Sequence, residues 1–323
     1  MSKQVAVGID FGGTNIKAGL VDADGAILCD ARVRTQAKQG ADHVLGRLAE
    51  AIEQVAQHCP GGSRICGVGI GAPGKVSLDQ TTLIKPPNFS GWDEVNLSEA
   101  LADVARGPVV VENDANCAGL GSASWGAGRD FDSFVMVTLG TGVGGAIIHE
   151  NKLFRGATGG AGELGHMSID YEGPYDRSGV AGAAEAYLGL NYLSHHARYQ
   201  LHTRPSVLHA WAGRDLGRLS PKMLHQAAEQ GDEPAREVLA WAGHKLGCVL
   251  ASVVNLLDIR KLVVGGGVSA AGDYLLGPAR LALQGAVMPS FAEGLELVRE
   301  TRGNEVGILG AARLAFEAAA EGG

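Results

Sequence analysis

Apolar positions in this chain switch between two periods, and the switches predict its elements. Val5–Ile9, Lys17–Val21 and Ile27–Val33 are short apolar runs, with Asp24-Gly25 as a tight turn between the second and third. They predict a three-stranded meander. Ala41 to Gln57 then places Val44, Leu45, Leu48, Ile52 and Val55 at helical spacing, with charges on the opposite face. Ile65–Gly69 reads as a buried strand that ends at Gly71-Ala72-Pro73-Gly74. A polar loop is expected next, containing Pro86-Pro87-Asn88-Phe89 and Trp92. Leu97 to Val104 predicts a short amphipathic helix, and Val109–Val111 a strand ending at Glu112-Asn113-Asp114. The small residues of Ala115–Ser124 can start a helix there.

A second meander begins near Phe134. Glu233 to Leu257 predicts a long helix, with Ala235, Val238, Leu239, Ala242, Leu246, Val249, Val253 and Leu256 roughly in phase. Strand Lys261–Val264, a turn at Gly265-Gly266-Gly267, strand Glu296–Arg299 and a helix from Ile308 onward complete the chain. Strands alternating with helices indicate an α/β architecture. No linker rich in proline, serine or charge separates the halves, so two domains are expected to pack directly across a cleft. The smaller would span 1–117, with a C-terminal helix at about 305–323 packing back on it, and the larger 118–304.

Composition narrows the function. With 323 residues and 46% hydrophobic content, the chain can bury two cores. Its 49 glycines are about twice the usual share, which implies tight turns and close backbone contacts. A net charge of −8 without clusters of Lys and Arg disfavours a nucleic-acid surface. The five cysteines form no CxxC pair and read as buried side chains in a reducing compartment. No signal peptide is recognised, and the longest apolar run, Cys248 to Leu257, is too short to span a bilayer. The expectation is a cytoplasmic protein with neither a nucleic-acid nor a membrane partner.

Candidate chemistry starts at two glycine turns of the same build. Asp10-Phe11-Gly12-Gly13-Thr14 follows the first strand, and Thr138-Leu139-Gly140-Thr141-Gly142-Val143-Gly144-Gly145 follows Phe134–Val137. Glycines let backbone N–H groups approach phosphate oxygens, and a threonine hydroxyl adds a donor. Asp10 can hold Mg²⁺ through water beside such phosphates, or simply shape its turn. Asp114, just past a strand end, either accepts a proton from a substrate hydroxyl during phosphoryl transfer or caps the helix behind it. Neighbouring Asn113 could hold another hydroxyl. Gly265-Gly266-Gly267 either turns strand into helix or lets a flat adenine ring lie on bare backbone. Glu163 and His166, in a glycine-rich stretch, suit vicinal hydroxyls or a plain surface turn, and Glu185 gains meaning only with them.

At this point the motifs match a family. Asp10-Phe-Gly-Gly-Thr14, Gly71-Ala-Pro-Gly74, Pro87-Asn88, Glu112-Asn-Asp-Ala-Asn116, Leu139-Gly-Thr-Gly142, Glu163-x-Gly-His166 and Val264-Gly-Gly-Gly-Val268 occur in order. Together they resemble the ROK family of sugar kinases and repressors, from residue 5 to about 316. The resemblance implies two actin-like (ribonuclease-H-like) α/β domains flanking an interdomain cleft, and ATP-dependent, Mg²⁺-assisted phosphorylation of a hexose, most often glucose at its 6-hydroxyl. Fructose, N-acetylglucosamine and N-acetylmannosamine are the alternatives. By that likeness Asp114 is the base, while Gly74, Asn88, Asn113, Glu163, His166 and Glu185 face the sugar. Gly12, Gly13, Thr14, Thr141 and Gly142 would contact phosphates, Gly266 and Gly267 the adenosine. Homodimers are common among such proteins, and the apolar stripe of Glu233–Leu257 suits either core or dimer contact. Repressors of the family carry a DNA-binding segment ahead of the first glycine turn, which here begins at residue 10, so a regulator is not expected.

The chain departs from the resemblance in one place. Most members carry a zinc site built from the His of Glu-x-Gly-His and three cysteines, and Asp176, Ser178 and Ala183 stand at the cysteine positions here. Without thiolates no zinc is expected. Something must then hold the ring of His166, either a carboxylate such as Asp176 or the packing of the loop alone.

Overall fold

β1 (Lys3–Phe11), β2 (Asn15–Asp22) and β3 (Ile27–Arg34) form the expected antiparallel meander, and β1 also pairs parallel with β4 (Ser63–Ala72). Residues 3–87, 89, 91–213 and 215–321 are described in this computed structural model. Within them the chain forms two compact units. One comprises Met1–Asp132, Ala146–Gly162 and Glu305–Gly323, the other Ser133–Gly145 and Glu163–Asn304. The boundary read from the sequence at 117 falls inside the helix Asp114–Trp125, which belongs wholly to the first unit.

Segment 75–96, expected as a loop, instead forms β5 (Lys75–Val76), β6 (Thr82–Ile84) and β7 (Glu94–Asn96), a small antiparallel sheet. Its aromatics drive the difference. Phe89 and Trp92 are buried, with ring centroids 5.1 and 6.1 Å from that of Phe11. The predicted helix at 97–104 divides into Leu97–Ala100 and Ala102–Ala105, separated at Leu101.

The first sheet ends on β8 (Val109–Asn113), with strand order β3-β2-β1-β4-β8. Val5, Val7 and Ile9 face a core shared with Val44, Leu48, Ile52 and Val55 of the helix Ala41–Ala56. The alternate positions face the helix Val306–Glu321 and include Ala6, Gly8 and Gly69. A Cβ on Gly8 or Gly69 would lie 2.0 or 1.7 Å from a backbone oxygen of that helix, so glycine is what lets it rest on the strands. The same helix touches Asp114–Trp125 backbone to backbone, where a Cβ on Gly310 would lie 1.6 Å from the Cys117 carbonyl oxygen.

β9 (Phe134–Leu139), β10 (Val143–His149), β11 (Lys152–Leu153), β12 (Lys261–Gly265) and β13 (Glu296–Arg299) build the second sheet, ordered β11-β10-β9-β12-β13. By position this repeats the first sheet's order, third-second-first-fourth-fifth, which accounts for two glycine turns of the same build. The helix Glu233–Leu257 is capped by Asp232, whose side chain accepts the Ala235 N–H (3.0 Å), and stops at Asp258. By length and composition it would pass for a membrane span, but its stripe is buried as core from Ala235 to Val253, and only Leu256 of that stripe is exposed. Gly243 and Gly247 lie against the helix Asp273–Ala286, where added Cβ atoms would come within 2.2 and 2.4 Å of the Leu275 and Ala279 oxygens.

Candidate active site

In the first unit, three parallel strands end side by side and carry the expected residues. Asp10 pairs with Gly71 across β1 and β4, while Gly71 and Ala72 pair with Glu112 and Asn113 across β4 and β8. The carboxyl ends of parallel strands are where α/β folds place reactive groups. The turn after Asp10 is held from below, since Gly12 N–H donates to the Asn15 oxygen (3.0 Å) and Thr35 Oγ1 donates to the Gly12 oxygen (2.6 Å). Gly13 and Thr14 are left at an exposed tip. Lys17 Nζ donates to Asp10 Oδ2 (2.7 Å), because the antiparallel register sets residue 17 opposite residue 10. The sequence reading missed this lysine, although a hairpin of that length encodes the pairing.

The structure separates the two readings of Asp114. Asn113 is the cap, its Oδ1 accepting the N–H groups of Ala115 (2.9 Å) and Asn116 (3.2 Å). Its Nδ2 donates to the oxygen of Gly74 (3.1 Å), a residue held at φ 98°. Asp114 is therefore the first helical residue rather than the cap, and it is exposed; its Oδ1 accepts the N–H of Ala115 (2.8 Å). Burial, then the charges of Glu112, Asp114 and Asp10, push the Cys117 thiol well above its ordinary range, so three carboxylates lie around one buried sulfur.

Beneath Asp114 lies an ion pair the sequence did not reveal. The side chain of Glu112 has no exposed surface. It accepts Asn113 N–H (2.8 Å), Asn116 Nδ2 (3.0 Å), Gln80 Nε2 (3.1 Å) and Arg155 Nε (2.7 Å). The remaining guanidinium nitrogens of Arg155 donate to the oxygens of Leu78 (2.8 Å) and Ser77 (2.9 Å). Glu112 stood inside a recognised motif without a role, and no local signal pointed to Arg155.

The second unit gathers the other candidates around its own glycine turn. Gly140 N–H donates to the Gly142 oxygen (2.9 Å), closing the turn that carries Thr141. Gly265 pairs with Thr138, and Gly266, at φ 82°, approaches so closely that a Cβ would lie 2.3 Å from the Leu139 oxygen. Glu185 Oε2 accepts the N–H of Val143 (3.0 Å) and fills the space a side chain on Gly142 would need. Gly165, between Glu163 and His166, sits on the carbonyl of Val143. Thus Glu185, Gly266 and the Gly165 backbone between Glu163 and His166 pack against Leu139–Val143, the turn that carries Thr141 and Gly142. Asn88 lies outside the described residues.

His166 is held by a carboxylate. Its Nδ1 is 2.6 Å from Asp176 Oδ2, and its Nε2 is 3.8 Å from Glu163 Oε2. Asp176 is buried, and its Oδ1 accepts the N–H groups of Ser178 (2.9 Å) and Val180 (2.9 Å) and the Ser178 hydroxyl (2.7 Å). Burial raises its pKa, but the hydrogen bonds from Ser178, Val180 and His166 outweigh this and leave it below the usual carboxylate range. Nδ1 is thus committed to a hydrogen bond, and the loop offers oxygens rather than thiolates. These residues do not fit a structural zinc.

Comparison with known proteins identifies the family of the chain. The ROK family pattern matches residues 6–318. The glucokinase of Thermotoga maritima is 34% identical over 319 residues, which is 98% of this chain and 99% of that one. The glucokinase of Streptomyces coelicolor is 35% identical over 321 residues, covering 97% and 98%. A ROK family glucokinase from Streptomyces griseus, solved with glucose and AMPPNP, superposes with a TM-score of 0.86 at 33% identity, covering 97% of this chain and 99% of that one. The duplicated sheet order is thereby placed in the actin-like α/β fold of these kinases. The chain belongs to the ROK family and is one of its sugar kinases.

Proposed function

We propose that the protein transfers the terminal phosphoryl group of ATP to the 6-hydroxyl of glucose. The observation that carries the reading is Asp114 at the end of β8, relieved of capping by Asn113 and set beside Asp10 and Gly71–Gly74 on neighbouring strand ends. In the reaction, an Asp114 oxygen accepts the 6-hydroxyl proton as the oxygen–phosphorus bond forms. The bond from the γ-phosphorus to its bridging oxygen breaks, and ADP leaves with the electron pair. No covalent intermediate on the enzyme is needed.

The remaining residues bind and orient. N–H groups of Gly13 and Gly142, with the hydroxyls of Thr14 and Thr141, would face the phosphates, while Gly12, its own N–H held by Asn15, shapes the turn that lets them approach, and the bare backbone at Gly266 and Gly267 suits a flat base. Asp10 is a hard oxygen ligand, 27% exposed and charge-balanced by Lys17, and so fits a role as outer ligand of Mg²⁺. That ion would neutralise charge on the phosphate oxygens. Lys17 would share its charge with the same phosphates. Glu163, His166, Glu185 and Asn88 hold sugar hydroxyls, Glu185 through its Oε1 and Asn113 through its amide N–H.

A coupled ADP-release assay with glucose, fructose, N-acetylglucosamine and N-acetylmannosamine tests this, with ATP and polyphosphate as donors. Glucose with ATP should give the highest kcat/KM, and ³¹P NMR should place the phosphate on O6. Preference for an N-acetylated sugar would move the substrate, and no sugar-dependent ADP would end the reading. On the resemblance we also propose a homodimer, which light scattering decides.

A further inference from the structure

The chemistry around His166 determines more than its position. Oδ2 of Asp176 belongs to a carboxylate that every neighbour within reach treats as an acceptor, two backbone N–H groups and a hydroxyl among them. Its side chain has no exposed surface. A buried carboxylate so supplied with donors stays ionised, and an ionised carboxylate can only accept. The 2.6 Å contact to Nδ1 therefore requires the proton to sit on that nitrogen. In a neutral ring the lone pair is then on Nε2, the nitrogen turned toward Glu163.

Resting on the sugar-kinase reading above, we propose that Asp176 is a positioning residue that fixes the Nδ1–H tautomer of His166, so that Nε2 accepts a hydrogen bond from one hexose hydroxyl. Glu163 Oε2, 3.8 Å from Nε2, is an acceptor as well. The pair therefore presents two acceptors side by side, a pattern that fits two vicinal hydroxyls each donating its proton. A ring protonated at Nε2 would present one donor and one acceptor instead, and would take a different pair of substituents. The carboxylate thus sets the polarity of recognition as well as the ring's orientation, without touching the sugar.

The test reads the tautomer directly. In ¹⁵N-labelled full-length protein at mildly alkaline pH, where an ordinary imidazole is neutral, two-bond ¹H–¹⁵N correlations should report His166 with a protonated Nδ1 and a pyridine-like Nε2. Asp176→Asn offers an amide N–H to Nδ1, and should shift the ring toward Nε2–H. It should raise the KM for glucose by about tenfold, the scale of one mismatched hydrogen bond, with kcat and the KM for ATP moving far less. Ser178→Ala keeps the carboxylate and should keep the Nδ1–H signature. Wild-type His166 in the Nε2–H form, or D176N leaving both tautomer and glucose KM as they were, overturns the proposal. Should D176N fail to fold, the wild-type spectrum still decides. An enzyme that phosphorylates no hexose would sink the functional reading while leaving the tautomer measurement standing.

Discussion

Arg155→Met tests how firmly the strand end carrying Asp114 is clamped. The substitution keeps most of the aliphatic stem and removes the charge facing Glu112, whose carboxylate is fully buried. Breaking a buried ion pair from one side costs about 3–5 kcal/mol, because the other charge is stranded. Three neutral donors to Glu112 remain, from Asn113, Asn116 and Gln80, so the low end applies. A second route agrees, since a charge-assisted hydrogen bond contributes about 1.5–3 kcal/mol. The carbonyls of Ser77 and Leu78 lose their guanidinium donors too, but water can take over at the more exposed of these positions. The expected loss is about 3 kcal/mol. Urea unfolding followed by tryptophan fluorescence measures it, since Trp92 and Trp125 both belong to the first unit. With a urea slope of about 1–3 kcal/mol per molar, the midpoint of that unit's transition should fall by roughly 1–3 M. A loss below about 1 kcal/mol would show that Glu112 is solvated or protonated rather than paired, and the clamp would be refuted.

The other predictions concern the site and its supports. Asp114→Asn should lower kcat by about 10²–10⁴-fold with little change in the KM for sugar, and a variant with near-normal turnover would remove Asp114 from the base role. Gly310→Ala drives a methyl group into the Cys117 carbonyl, so thermal melts should show a loss of at least about 1–3 kcal/mol, and an unchanged melt would contradict the close helix contact. Asp176 has its folded pKa depressed, so the stability it contributes is present above the ordinary carboxylate range and lost as pH falls through the lowered value. Melts across an acidic pH series should therefore show a slope that Asp176→Asn flattens, and an identical slope in the variant counts against the hydrogen bonds assigned to that carboxylate. Cys117 is buried with its thiol pushed up, so a thiol reagent should modify it only after unfolding, and mass spectrometry finding early labelling would contradict its placement.

What was readable along the chain was what local physics imposes. Short apolar runs place β1 to β4 to within about two or three residues at each end, and helical spacing fixes the Ala41–Ala56 and Glu233–Leu257 helices nearly to the residue. The glycine turns and the strand-end Asp114 were readable for the same reason, since a close backbone approach needs glycine and a strand end exposes its next side chain. Segment 75–96 was misread because its short strands are held by Phe89 and Trp92 packing on Phe11, a contact about eighty residues away in the chain. The helices Leu190–Leu201, Pro221–Glu229 and Asp273–Ala286 went unread, their apolar faces being short and mixed with histidine or glycine.

By itself, then, the order of residues determined the α/β class, the duplicated meander and the set of chemical groups available. Only tertiary structure decided which of those groups work together. It passed the capping role to Asn113, set Lys17 against Asp10, brought Arg155 to Glu112, and chose the buried Asp176 carboxylate over loop packing alone to hold the ring of His166. The physical reason is that hydrogen bonds and ion pairs depend on distance and burial, and neither is a property of sequence spacing until the sheets have formed.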